Sequence, residues 1–91
     1  MNAGSRYIVQ YDPRAAKELI KLDRQVARRI AAAIQRLGAD PRPPGSRVLA
    51  GYPTLSRIRI GDYRVIYTIR DTELIALALR IAHRSSVYRN L

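Results

Sequence analysis

Three arginines, Arg57, Arg59 and Arg64, punctuate the alternating apolar stretch LSRIRIGDYRVIYTI, Leu55 to Ile69. A guanidinium is a planar, permanently charged fork whose donors match phosphate, so several held together could bind a phosphate and stabilise negative charge building on it. Whether these three act together depends on which face of a sheet they share. If Gly61-Asp62 is a two-residue hairpin turn, Ile60 stands opposite Tyr63, Arg59 opposite Arg64, Ile58 opposite Val65 and Ser56 opposite Tyr67. One face then reads Ile58, Ile60, Tyr63, Val65 and Tyr67, and the other carries all three arginines.

The last strand extends the pattern. ELIALALRIAHR puts Ile75, Leu77, Leu79 and Ile81 on one face and Ala76, Ala78, Arg80, Ala82 and Arg84 on the other. An odd-length turn, most simply Asp71-Thr72-Glu73, sets the large residues beside Val65 and Tyr67 and places Arg80 opposite Arg64. The expected result is a shallow, alanine-floored, arginine-lined face. Like charges directly across strands cost a few tenths to about 1 kcal/mol per pair, and residues 55–70 offer one acid, Asp62 in the turn. The cluster reads as a site for an anion; the alternative is the solvated outer face of a half-exposed sheet.

The elements that must position these residues follow from the rest of the chain. YIVQY, Tyr7 to Tyr11, reads as a first strand. Asp12-Pro13 is an N-cap followed by proline at the first helical position, and predicts a helix over PRAAKELIKL with Ala16, Leu19 and Ile20 on its apolar side. Asp23 caps a second helix. In it Val26, Ala27, Ile30, Ala31, Ile34 and Leu37 recur at helical spacing, Arg24, Arg28, Arg29, Gln35 and Arg36 face outward, and Gly38 is the stop. The two form an antiparallel hairpin. ADPRPPGSR, Ala39 to Arg47, is a loop, and strand periodicity resumes from Thr54. The expectation is an α+β domain: an N-terminal strand, the helical hairpin, then a mainly antiparallel sheet of about four strands with the helices on one face.

Composition narrows the function. The 91 residues allow one domain, 1–91, with 1–5 expected to be flexible, and the 47% hydrophobic content suffices for a modest core. Seventeen Lys and Arg against seven Asp and Glu give a formal net charge of +10, nearly all of it from arginine, with lysine only at Lys17 and Lys21. Such a surplus suits nucleic acid or an acidic protein. There is no cysteine, no carboxylate cluster for a metal, and no apolar run near the roughly 20 residues of a membrane span. A cytoplasmic protein without cofactor or metal is expected, with no membrane association.

Four segments together, RAAKELIKL...RQVARRIAAAIQRL, DPRPPGSRVLAG, RIRIGDYRVIY and IAHRSSVYR, resemble the RelE branch of the RelE/ParE toxin superfamily of bacterial type II toxin-antitoxin systems. The resemblance runs from Tyr7 to Tyr88. GDYRVIY and HRSSVY at this separation are specific as a pair. The resemblance implies a short C-terminal helix and a ribosome-dependent endoribonuclease that cuts messenger RNA in the A site with the 2'-hydroxyl as nucleophile. On the family's pattern the catalytic residues are the basic pair Arg57 and Arg59, Arg64 on the next strand, and Arg84 and Tyr88 near the C-terminus. Arg80 and Arg47 are further candidates for RNA contact.

Attack by a 2'-oxygen charges the phosphorane, which preorganised guanidiniums stabilise without a metal. Proton transfer needs another group, because arginine does not release its proton, and many relatives carry lysines where Arg57 and Arg59 stand. Tyr88 is the family's candidate, its pKa open to lowering by neighbouring cations; His83, the only histidine, is a second, although alternation points it away from the arginine face. Tyr63 and Tyr67 belong to the core. The resemblance also implies a cognate acidic, RelB-like antitoxin, with the message on the ribosome as the other partner. Two alternatives stay open: a ParE-like poison of DNA gyrase, and a non-catalytic module that binds RNA or antitoxin.

Overall fold

Asp12 and Pro13 open the first helix as their types demand. The Asp12 carboxylate accepts the Arg14 N–H at 2.9 Å, and α1 runs Pro13–Ile20 after strand β1, Ile8–Tyr11. Asp23 does the same for α2, Arg24–Arg36, accepting the Gln25 N–H at 3.1 Å. The structure is a computed structural model that describes residues 6–86. Strands β2 (Arg47–Leu49), β3 (Tyr52–Ile60), β4 (Tyr63–Arg70) and β5 (Ile75–His83) complete the fold. The sheet order is β1-β5-β4-β3-β2, with β1 parallel to β5 and every other pair antiparallel.

Both helices cover one face of this sheet. The core joins Ala15 of α1 and Ile30, Ala33 and Ile34 of α2 to Ile58, Val65, Tyr67, Ala76, Ala78 and Ile81 of the strands. Fully burying an aliphatic or aromatic side chain contributes roughly 1.5–3 kcal/mol, so Ile30, Ile34, Leu37, Val65 and Tyr67, all at most 1% exposed, dominate the fold's stability. The Tyr67 hydroxyl donates to the Pro41 carbonyl at 2.7 Å, which satisfies its one buried polar group and fastens the proline loop over the sheet.

The β3–β4 register is the expected one: Ile60 with Tyr63, Arg59 with Arg64, Ile58 with Val65, Ser56 with Tyr67. Gly61 sits at φ +58, the left-handed region that a tight turn requires. Four details differ from expectation. A fifth strand, β2, pairs its short length with β3, whose start moves back to Tyr52. In α1 it is Ala15 that is buried, while Ile20 is 81% exposed.

The other two differences concern β5. Arg70 pairs with Ile75, so the β4–β5 turn spans four residues, with Leu74 at φ 54, and places Ala76 and Ala78 on the core face. The register then shifts between Ile66 and Tyr67, Leu79 is left unpaired, and Ile81 returns to the core beside Val65. The alanine-floored outer face is therefore corrected. Ala76 and Ala78 are 1% exposed beneath the helices, where Ala15 approaches, while Ile75 and Leu77 stand half-buried on the outer face in register with Ile8 and Gln10.

Among the described residues no helix is long and apolar enough to cross a membrane. The expected C-terminal helix would follow residue 86 and lies outside the described residues, as do Tyr88 and residues 1–5.

Candidate functional site

The hairpin turn delivers the arginines to the outer face in two rows. Arg47, Arg57, Ile66 and Arg80 stand in register across β2, β3, β4 and β5, and Arg59, Arg64 and Ala82 form the next row toward the turn. Ile66 is fully buried yet separate from the core under the helices, so this face has an apolar centre of its own. Arg80 thus stands opposite Ile66, not opposite Arg64 as unbroken alternation after an odd-length turn implies. The β5 bulge keeps it on the arginine face but one row further from the turn.

Arg59, Arg64 and Arg84 line a cleft of 210 Å³ together with Gly61, Asp62 and Tyr63. Its geometry begins at the end of β5. The Arg84 N–H donates to the Asp62 carbonyl at 2.6 Å, which brings the chain back over the hairpin turn. The Arg84 Nε lies 3.6 Å from the Asp62 carboxylate, both side chains about two-thirds exposed, so water screens the pair and leaves the guanidinium available to a stronger anion. Arg59 and Arg64 have no acceptor among the described residues. Arg57 lies two residue pairs further from the turn, in the next row on the same face, and donates from Nη1 to the Gly45 carbonyl at 3.5 Å. The small Ala82 side chain opposite Arg64 leaves the cleft open.

Not every arginine of this face lacks an acidic partner. Glu18, on α1, accepts from Arg80 Nε at 3.1 Å and Nη2 at 3.0 Å and from the Ile81 N–H at 2.8 Å. The reason is topological. β1 pairs with β5 only as far as Ala78, and the Glu18 carboxylate takes over where that strand stops, so Arg80 is committed to the sheet edge and both side chains are 24% exposed. Local sequence could not show this, because Glu18 is 62 residues from Arg80. The signal available was its place three residues after Ala15, on the sheet-facing side of α1.

His83 faces the opposite way from the arginines, as alternation indicated. It pairs with Tyr63, whose ring it meets edge-on at 5.2 Å and 88°. Its Nδ1 accepts the Ser85 N–H at 3.2 Å and lies 2.8 Å from Ser85 Oγ. These contacts tie the His83 ring to the turn that leads into Arg84. Arg47 is exposed beside Arg57 at the sheet's rim.

The perturbed side chains lie at the other end of the molecule. Arg42 holds Asp71 through two hydrogen bonds, 3.2 and 2.9 Å, and the Tyr7 hydroxyl donates to the same carboxylate at 2.6 Å. Both contacts lower the Asp71 pKa, and the same bond raises that of Tyr7. Burial raises Tyr67 and Tyr11.

The fold and cleft define a small basic α+β protein with an arginine-lined cleft on the uncovered face of its sheet. The chain belongs to a family of that build: residues 9–88 match the family described as the ParE toxin of the type II toxin-antitoxin system parDE, within the RelE/ParE superfamily. Solved structures that it resembles include RelE toxins. The chain is 28% identical to one in the archaeal RelE-RelB complex of Pyrococcus horikoshii, covering 90% of this chain and 99% of that one with a TM-score of 0.78. It is 24% identical to one in the RelBE2 complex of Mycobacterium tuberculosis (90% and 95%, 0.79) and 24% identical to one in the Escherichia coli RelBE complex (91% and 99%, 0.75), two likenesses of fold. No curated protein matches the chain in sequence.

Proposed function

We propose that this chain is the toxin of a type II pair and acts as a ribosome-dependent endoribonuclease on messenger RNA. The observation that carries the reading is the cleft in which Arg59, Arg64 and Arg84 converge, with Arg57 beside it on the same face. In the reaction the message's 2'-oxygen bonds to the adjacent phosphorus and the P–O5' bond breaks. The 2'-hydroxyl proton leaves to a base, and a proton reaches the departing 5'-oxygen. Arg59, Arg64 and Arg84 hold the phosphate and stabilise the extra charge of the phosphorane; Arg57 steadies the neighbouring strand, and Arg47 extends the contact at the rim. Tyr88 is the proton-transfer group of this reading, since His83 is turned to the helix-covered face and engaged by Ser85.

The toxin is held by an acidic, RelB-like antitoxin, a proposal supported by its +10 charge and by relatives solved as RelE-RelB complexes. Replacing the ribose on the 5' side of the mapped cut by 2'-deoxyribose tests the mechanism. Cleavage at that position alone should disappear. Continued cutting there would rule out 2'-oxygen attack. A second reading, poisoning of DNA gyrase, is favoured by the ParE description of the matched family; covalent gyrase-DNA complexes accumulating while messages stay intact would establish it instead.

A further inference from the structure

β2 pairs with β3 only as far as Arg57, so the β3 edge from Ile58 to Ile60 has no strand beside it. A groove of 440 Å³ lies along that edge, bounded by Arg29, Ala33 and Arg36 of α2 on one side and by Pro43 and Pro44 of the loop on the other. Arg59 and Gly61 line this groove and also the phosphate cleft, so the two are continuous around the rim of the sheet. The approach is close. Arg29 Nη2 lies 3.5 Å from where a side chain on Gly61 would begin. Among the described residues the guanidinium groups of Arg29, Arg36 and Arg59 have no hydrogen-bond or ion-pair partner, and no acidic residue lines the groove.

We propose that this groove is an extension of the cleavage cleft that carries the single-stranded message beyond the scissile phosphate. Arg29 and Arg36 would take the phosphates next to the one at Arg59, while Pro43, Pro44, Ile58 and Ile60 give the sugars and bases an apolar wall. The inference rests on the ribonuclease reading and adds a subsite to it. Two features favour RNA over an acidic peptide. The three cations lead away from the phosphate cleft in a continuous track, as a strand entering it requires, and the bare β3 edge is three residues long, short for an added strand.

The test is equilibrium binding of single-stranded 2'-O-methyl RNA, which lacks the nucleophile and cannot be cut, at lengths of about four and about ten nucleotides. For the wild type the longer strand should bind more tightly. In Arg29→Gln/Arg36→Gln that gain should vanish, with the longer strand bound about tenfold more weakly and its salt dependence reduced by about 1.4, from roughly 0.7 per phosphate contact. The shorter strand should bind as to wild type. Both arginines are exposed, so the variant folds.

Unchanged affinity for the longer strand would overturn the proposal. An equal loss at both lengths would also overturn it, by showing a general field effect in place of a subsite. Tighter binding of a polyglutamate peptide than of the longer RNA, lost in the same variant, would assign the groove to a protein. The assay does not read cleavage, so failure of the ribonuclease reading appears separately, as wild-type protein that binds the longer strand yet leaves a message on purified ribosomes uncut.

Discussion

At the scale of single residues, what separates the arginines is their partners. Arg59 and Arg64 meet no carboxylate among the described residues, Arg84 has a loose, solvated one, and Arg80 is locked to Glu18. Removing Glu18 orphans the Ile81 N–H as well as the Arg80 guanidinium, and a partly buried donor left unpaired costs about 1–3 kcal/mol. Glu18→Ala should therefore lower the urea midpoint by a corresponding amount, and an unchanged midpoint would show that water replaces the carboxylate freely. Tyr88→Phe should leave the fold intact and slow message cleavage at least about tenfold, or about 1.4 kcal/mol of transition-state stabilisation. Single-turnover rates on programmed ribosomes would measure it.

At the scale of elements, β5 decides which side chains reach which face. Its four-residue turn and its bulge put Ala76 and Ala78 under α1, where a larger side chain has no room. Ala78→Leu should cost about 1–3 kcal/mol by overpacking, read from thermal or urea unfolding, whereas the same change at the half-exposed Ala82 should cost little. The β3–β4 hairpin was legible because a two-residue turn fixes register and the apolar alternation agrees with it. The helix starts were legible because Asp12 and Asp23 are local caps. β5 was not, because its alternation is unbroken in sequence and nothing local marks the bulge at Leu79. The Glu18 contact was hidden because 62 residues separate it from Arg80.

The latch of Tyr7, Arg42 and Asp71 joins the chain before β1, the proline loop and the β4–β5 turn, and it titrates. The Asp71 pKa is lower in the folded protein than in the unfolded chain, so its contribution is present above the unfolded value and is lost as pH falls through the folded one. The Tyr7 pKa is raised, so its contribution is lost as pH rises through the folded value. Unfolding midpoints across the acidic range should fall for the wild type and fall less for Asp71→Asn, already weakened at neutral pH. Parallel curves would mean the latch contributes nothing.

At the scale of the whole molecule, a helix-covered face supplies stability and leaves the opposite face free to collect positive charge. The sheet divides these tasks strand by strand, since neighbouring residues of β3 and β4 point to opposite sides. A net charge of +10 favours anionic partners, and the cleft at the hairpin turn gathers the three arginines to which the proposed reaction assigns the phosphate. The most direct test of the account is primer-extension mapping of a defined message on purified ribosomes with an empty A site, with free message alongside. Cuts should appear in the A-site codon with ribosomes, be absent on free RNA, and be lost with Arg64→Ala. A message left intact by the folded wild-type protein, or cut equally well by Arg64→Ala, would contradict it.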